Sequence, residues 1–177
     1  MSRFLFFSAL VLFSFSCKKP GYGSLTVSLK DGPADFDEVN VDLQQVEVYI
    51  KDASTAGWYE LKTNRGIYNL LNFQQTSMIL ASQTKIPAGS ISQVRLTFGS
   101  NNSVRANNDY YALQTSKRPG EKNTLIIPAD CILSPNGVSH ILIDMDADRS
   151  VVRKEKHNFF LEPVAISGTV SSPYDLY

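Results

Sequence analysis

The sequence predicts an all-β domain, an antiparallel β-sandwich. Three observations carry this expectation. Apolar residues recur at every second position through most of the chain. The alternating runs are short and separated by turns rich in Gly, Asn, Asp and Pro. No stretch holds a helical period long enough for a substantial helix. The 177 residues, 43% of them hydrophobic, give room for one domain with a single core.

The elements follow in order. In SLTVSLK, Leu25, Val27 and Leu29 face one way and Thr26, Ser28 and Lys30 the other. DGPADFD is a turn-rich loop. VNVDLQQVEVYI changes parity: Val39, Val41 and Leu43 are odd, while Val46, Val48 and Ile50 are even. One strand cannot bury both sets unless an extra residue resets the register, which predicts a β-bulge or strand break at Gln44-Gln45. The β-branched residues argue against a helix there.

KDASTAGW makes a loop, WYELK a short strand and GIYNLLNF another apolar segment. TSMILASQTKI fits a strand or a helical turn. PAGSI is a turn, and SQVRLTFG alternates with Val94, Leu96 and Phe98 inward. The two Asn pairs of NNSVRANNDYYAL predict a hairpin-like excursion. TLIIP is a short strand. SPNGVSHILIDMD places an Asn-Gly turn before a long strand. NFFLEPVAI reads as the last core strand, and SGTVSSPYDLY as a fraying end or the start of a linker.

The N-terminus is read as an address. MSRFLFFSALVLFSFSC has one basic residue, Arg3, then an apolar run from Phe4 to Phe15 that is too short to span a bilayer comfortably. FSFSCKKP resembles a bacterial lipobox, with Ser16 before Cys17. Ser14 departs from the usual leucine, in the looser manner of Bacteroidetes lipoproteins. The resemblance implies a signal peptide over residues 1–16 and lipidation of Cys17, with residues 17–23 as lipidated cysteine and tether. A plain cleaved signal is the alternative. The implied location is the bacterial cell envelope, lipid-anchored at the outer membrane. Acylation of Cys17 would leave Cys131 as a free thiol, expected to be buried and inert.

The order SLTVSLKDGPADFDEVNVDLQQVEVYI, GWYEL, YNLLNF, IPAGSISQVRLTF, HILIDMDADRSVV and NFFLEPV resembles the bacterial domain family of unknown function DUF4382, over about Ser24 to Val170. LQTSKRPGEKNTLIIP replaces the family's small-residue turn, and RKEKHN lacks its usual glycine. The resemblance implies an immunoglobulin-like or transthyretin-like sandwich over residues 24–170, followed by a tail over 171–177. It brings no catalytic residues.

Lys plus Arg equal Asp plus Glu at 17 each, so nothing points to nucleic acid, which needs a basic patch. Asp144, Asp146, Asp148 and Glu155 fall at positions one, three, five and twelve of a calcium-type loop. Arg149 stands where such a loop needs glycine, and the flanks are strand formers. Calcium at Asp144, Asp146 and Asp148, with help from Asp31, Asp35 and Asp37, is therefore weighed against a solvated acidic face bonded to loop N–H groups and Arg149. Trp58, Tyr59, Tyr110 and Tyr111 lie beside turns and could stack on a sugar or peptide; at each pair one ring is expected to point inward. Cys131, His140 and His157 match no zinc spacing. With no motif for a nucleophile or phosphate loop, the expected function is binding or scaffolding of an extracellular protein or glycan. A calcium-stabilised adhesion module and a small hydrolase are the alternatives.

Overall fold

Alternation of Leu25, Val27 and Leu29 with polar residues produces strand β1 (Tyr22–Asp31), whose three aliphatic side chains are all buried. The computed structural model describes residues 21–52, 55–115, 123–155 and 157–170. Cys17, the expected signal peptide over residues 1–16 and the expected tail over 171–177 lie outside the described residues.

The parity change resolves as expected. In β2 (Glu38–Ile50), Leu43 pairs with Phe98 and Gln45 with Thr97, which leaves Gln44 as the extra residue of a bulge. Val39, Val41, Leu43, Val46, Val48 and Ile50 are all buried in consequence. Next come β3 (Gly57–Glu60), β4 (Lys62–Thr63), β5 (Gly66–Asn69) and a 3₁₀ turn (Leu70–Phe73).

The ambiguous TSMILASQTKI forms strand β6 (Met78–Pro87), and its pairing with β1 shifts register twice. Leu80 and Lys85 are the extra residues, so Leu80 and Ala81 are both buried and the alternation blurs. The turn expected at PAGSI shrinks to Ala88, because β7 (Gly89–Phe98) starts at once. Strands β8 (Ser103–Ala106) and β9 (Asp109–Thr115) form the expected hairpin, with Asn107 (φ 52°) and Asn108 (φ 65°) as its left-handed turn residues. β10 (Asn123–Leu133) extends well past TLIIP and takes in Cys131.

The long strand β11 (Val138–Met145) stops before the acids end. A single helical turn, α1 (Ala147–Ser150), follows it. β12 (Val151–Glu155), β13 (Asn158–Leu161) and β14 (Ala165–Val170) complete the chain. The expected single strand NFFLEPVAI is thus two strands. Pro163 cannot donate to a ladder, and Ser150 holds the break: its carbonyl accepts from Glu162 N and its hydroxyl from Val164 N, both at 2.9 Å. SGTV is correspondingly strand, not a fraying end.

Two sheets face each other across one core. The smaller runs β14-β11-β1-β6-β4. The larger runs β10-β7-β2-β8-β9-β13-β12, with β3 and β5 also paired to β2. The architecture is the predicted all-β sandwich, but its sheets are mixed, not wholly antiparallel. β1 pairs with β11 in parallel, and so does β9 with β13. β11 comes over from the larger sheet through the 134–137 turn and enters beside the start of β1, so the two strands run the same way. Among the described residues, no helix is long and apolar enough to cross a membrane.

Candidate functional site

The parallel β1–β11 pair defines the two ends of the smaller sheet. Ser24 opposes Val138 at the end where β1 begins, and Asp31 opposes Met145 at the far end. The loop 32–37, the hairpin turn at Asn107-Asn108 and α1 gather at the far end, held by mutual hydrogen bonds. Ala147 N donates to Asp31 Oδ1 (3.0 Å), Asn108 N to Asp37 Oδ2 (3.1 Å) and Asp37 N to the Arg105 carbonyl (3.0 Å). A longer contact, 3.5 Å, joins Asp35 N to Asp148 Oδ1.

The three aspartates singled out from the sequence share this end but do not converge. Asp144 pairs with Lys30 at 2.8 Å. Asp146 caps α1 by accepting from Arg149 N at 2.9 Å, and its carboxylate lies 3.9 Å from the Arg149 guanidinium. Asp148 is exposed and reaches toward loop 32–37. Ending the strand at Met145 and starting a helical turn sends each acid to a different partner. Among the described residues, no group of three or more His, Cys, Asp or Glu is placed to hold a metal ion. A cleft of about 480 Å³ remains between Gly32, Pro33, Asp144, Asp146, Arg149 and Ile166.

Asp31 is the unusual acid of this end. It is only 4% exposed, and its Oδ2 has no hydrogen-bond partner. Burial pushes its pKa up to about 6, against the lowering effect of the Ala147 and Gly32 N–H groups; Asp146 and Asp144 add smaller upward pushes.

The aromatic pairs split as expected. Tyr59 packs against the core and donates to the Thr55 carbonyl, whereas Trp58 sits on the outer face of the larger sheet. There the Arg95 guanidinium lies 4.1 Å above its ring, and Tyr49 meets it edge-on at 5.3 Å. Arg95 in turn grips Glu47 with two hydrogen bonds of 2.7 and 2.5 Å. Tyr111 packs on the core, on Phe159 and on His157, while Tyr110 is 62% exposed. Tyr110 donates to Glu38 Oε1 at 2.9 Å, and Arg105 reaches the same oxygen at 3.3 Å. The Asn40 amide, then Tyr110, hold the Glu38 carboxyl below its ordinary value.

Trp58 and Tyr110 do not make one site. Trp58 pairs with Tyr49 and Tyr110 reaches Glu38, eleven residues apart along β2 and therefore about 35 Å. Tyr110 belongs to the far end with the acids.

Cys131 is 1% exposed, and burial raises its thiol pKa. His140 bonds Ser28 Oγ at 2.8 Å on the outer face of the smaller sheet, where burial lowers its pKa. The sequence reading missed Asp42. Its position in an alternating strand suggested a wet side chain, yet it is 4% exposed. Its carboxylate accepts from Gln44 Nε2 and from Asn101 N, while its own N–H donates to Asn102 Oδ1. This polar knot fixes the β7–β8 crossover at the bulge. The run DLQQ opposite GSNN was the available signal.

Comparison with curated proteins and with solved structures returned no match. The model of the domain of unknown function DUF4382 matches residues 22–163, from the first strand to the proline that divides the last two, and the chain belongs to that family.

Proposed function

We propose that the protein is a lipid-anchored binding module of the bacterial cell envelope, held by acylated Cys17 at the outer membrane. It engages an extracellular protein or glycan through the far end of the sandwich. One observation supports this most: three loops distant in sequence are hydrogen-bonded to one another there, around an exposed tyrosine. Loops braced before binding lose less freedom on association. Tyr110 offers a ring for stacking, and exposed Asp35, Asp37 and Asp148 offer acceptors for hydroxyl or ammonium groups.

The test is retention of the mature chain on a panel of immobilised envelope glycans and purified surface proteins. Retention should fall with Tyr110→Ala combined with Asp148→Asn while the melting temperature holds. A ligand bound equally by that double variant refutes the site. Cys17→Ala should release the protein from the membrane fraction, and a chain that stays there unacylated refutes the anchor.

A second reading, a calcium-stabilised adhesion module, has one observation in its favour. The unpartnered Asp31 Oδ2 feels Asp144 and Asp146 nearby.

A further inference from the structure

The end that carries Gly21 has a different chemistry. Tyr22 is 53% exposed, Ile132 73% and Val138 78%, and all three surround one turn. Ile132 and Val138 flank the 134–137 turn, and the Tyr22 carbonyl accepts from Asn136 N at 2.8 Å within it. The Ser139 hydroxyl bonds the Ile132 carbonyl at 3.1 Å, so both sides of the turn are tied together. Single exposed apolar residues are ordinary on a protein surface, but a cluster at one end asks for a cover.

Cations share this end. The Gly21 carbonyl accepts from Ala88 N, and Lys51 N donates to the Ser90 carbonyl, which brings Lys51 and Lys85 alongside. Both lysines are exposed. Lys85 is the extra residue of the β6 bulge and holds a left-handed φ of 62°, a conformation that a Gly or Asn would occupy at less cost. Two acids lie nearby: Asp52 is turned to the backbone and accepts from Ser90 N at 2.5 Å, and exposed Asp130 stands two residues before Ile132 on β10. Lys18 and Lys19 lie in the intervening chain. Three exposed acids, Asp35, Asp37 and Asp148, stand at the opposite end, with Arg149 as an exposed cation beside them.

We infer that this end is a membrane-contacting surface: Tyr22, Ile132 and Val138 enter the headgroup–acyl boundary of the phospholipid bilayer that holds the anchor, and Lys51 and Lys85 lie on its anionic headgroups. This rests on acylation of Cys17. Three residues separate Cys17 from Gly21, so the four chain steps between them limit the gap to about 14 Å even when fully extended. A tether that short keeps the apolar end at an effective concentration on the order of millimolar beside the lipid, so weak contacts suffice to orient the domain. Aromatic and aliphatic tips with flanking lysines are the side chains that lodge at such an interface. Anionic lipid attracts the lysine end and repels the acidic one. The proposed binding loops then face away from the membrane.

The test uses the full mature chain with its native acyl groups, in vesicles of phosphatidylethanolamine and phosphatidylglycerol. A fluorophore is attached at Val138→Cys or, as control, at Ile166→Cys; Ile166 is 69% exposed but near the acidic end. Buried Cys131 should stay unlabelled. Nitroxide-bearing lipid is expected to quench the label at 138 several-fold more than the label at 166, and added Ile132→Asp should reduce that quenching without lowering the melting temperature. Equal quenching at the two positions overturns the inference, as does quenching unchanged by Ile132→Asp. Loss of fluorescence contrast through concentration-dependent self-association would assign the surface to a second copy instead and equally overturn it. Intact mass reports Cys17 separately. An acylated chain without contrast sinks the surface alone, whereas an unacylated chain that still shows the contrast sinks the anchor alone.

Discussion

Replacing Asp31 with Asn keeps the acceptor for Ala147 N and puts an amide where the unpartnered Oδ2 now sits. It also removes a charge that the fold disfavours. Asp31 titrates at about 6 in the folded protein against 3.8 ordinarily. The folded state therefore binds the extra proton between these values. The associated stability is complete below the lower value, drains as pH rises through the upper one, and is absent above it. At roughly 1.4 kcal/mol per unit the shift corresponds to about 3 kcal/mol. Asp31 lies at the rim of the sandwich under shallow cover, and screening there reduces the figure to about 1–2 kcal/mol. Asp31→Asn should accordingly raise the melting temperature by about 3–8 °C at neutral pH and leave it nearly unchanged near pH 4. The assay is thermal unfolding, followed by circular dichroism, of both proteins across that range. Destabilisation at neutral pH, or a difference that does not vary with pH, would refute the assignment of Asp31 as a penalised charge.

Three further outcomes follow from the same geometry. Deleting Gln44 removes the bulge and turns Val46, Val48 and Ile50 outward; the loss of about 4–9 kcal/mol should leave no cooperative unfolding transition. Cys131 should resist thiol reagents at pH 8 in the native state and react fully in denaturant, since burial raises its pKa and closes access. Millimolar calcium should leave the melting temperature unchanged, because Asp144, Asp146 and Asp148 each hold separate partners. A chelator-reversible rise that Asp31→Asn abolishes would establish the calcium reading in place of this one.

What the sequence made legible was whatever side-chain period encodes. The odd and even valines of β2 placed a bulge or break at Gln44-Gln45, where Gln44 proves to be the extra residue, and the paired asparagines located the β8–β9 turn. That one ring of each aromatic pair would point inward followed from the same alternation; which ring it is came from the structure. Pairing partners were not legible, because nothing local in VSHILIDM says that it will lie parallel to β1. β14 was missed because it carries Ile166, Gly168 and Thr169 exposed, with little apolar alternation to detect. It is secured instead by Ser167 and Thr169 hydroxyls on the Pro128 and Asp130 carbonyls of β10. Asp42 and Asp31 were hidden for a related reason. Both occupy positions where a carboxylate normally meets water, and only the folded loops show what covers them.

The central place of β1 in its sheet carries a consequence for biogenesis. One of its neighbours, β11, lies more than a hundred residues downstream, so half of the β1 backbone hydrogen bonds wait until nearly the whole polypeptide has emerged. Distant pairings of this kind form slowly. Until β11 is made, the leading segment therefore carries an uncompleted ribbon of Leu25, Val27 and Leu29, open to adhesion between nascent copies, and a holdase chaperone is the expected escort until β11 arrives.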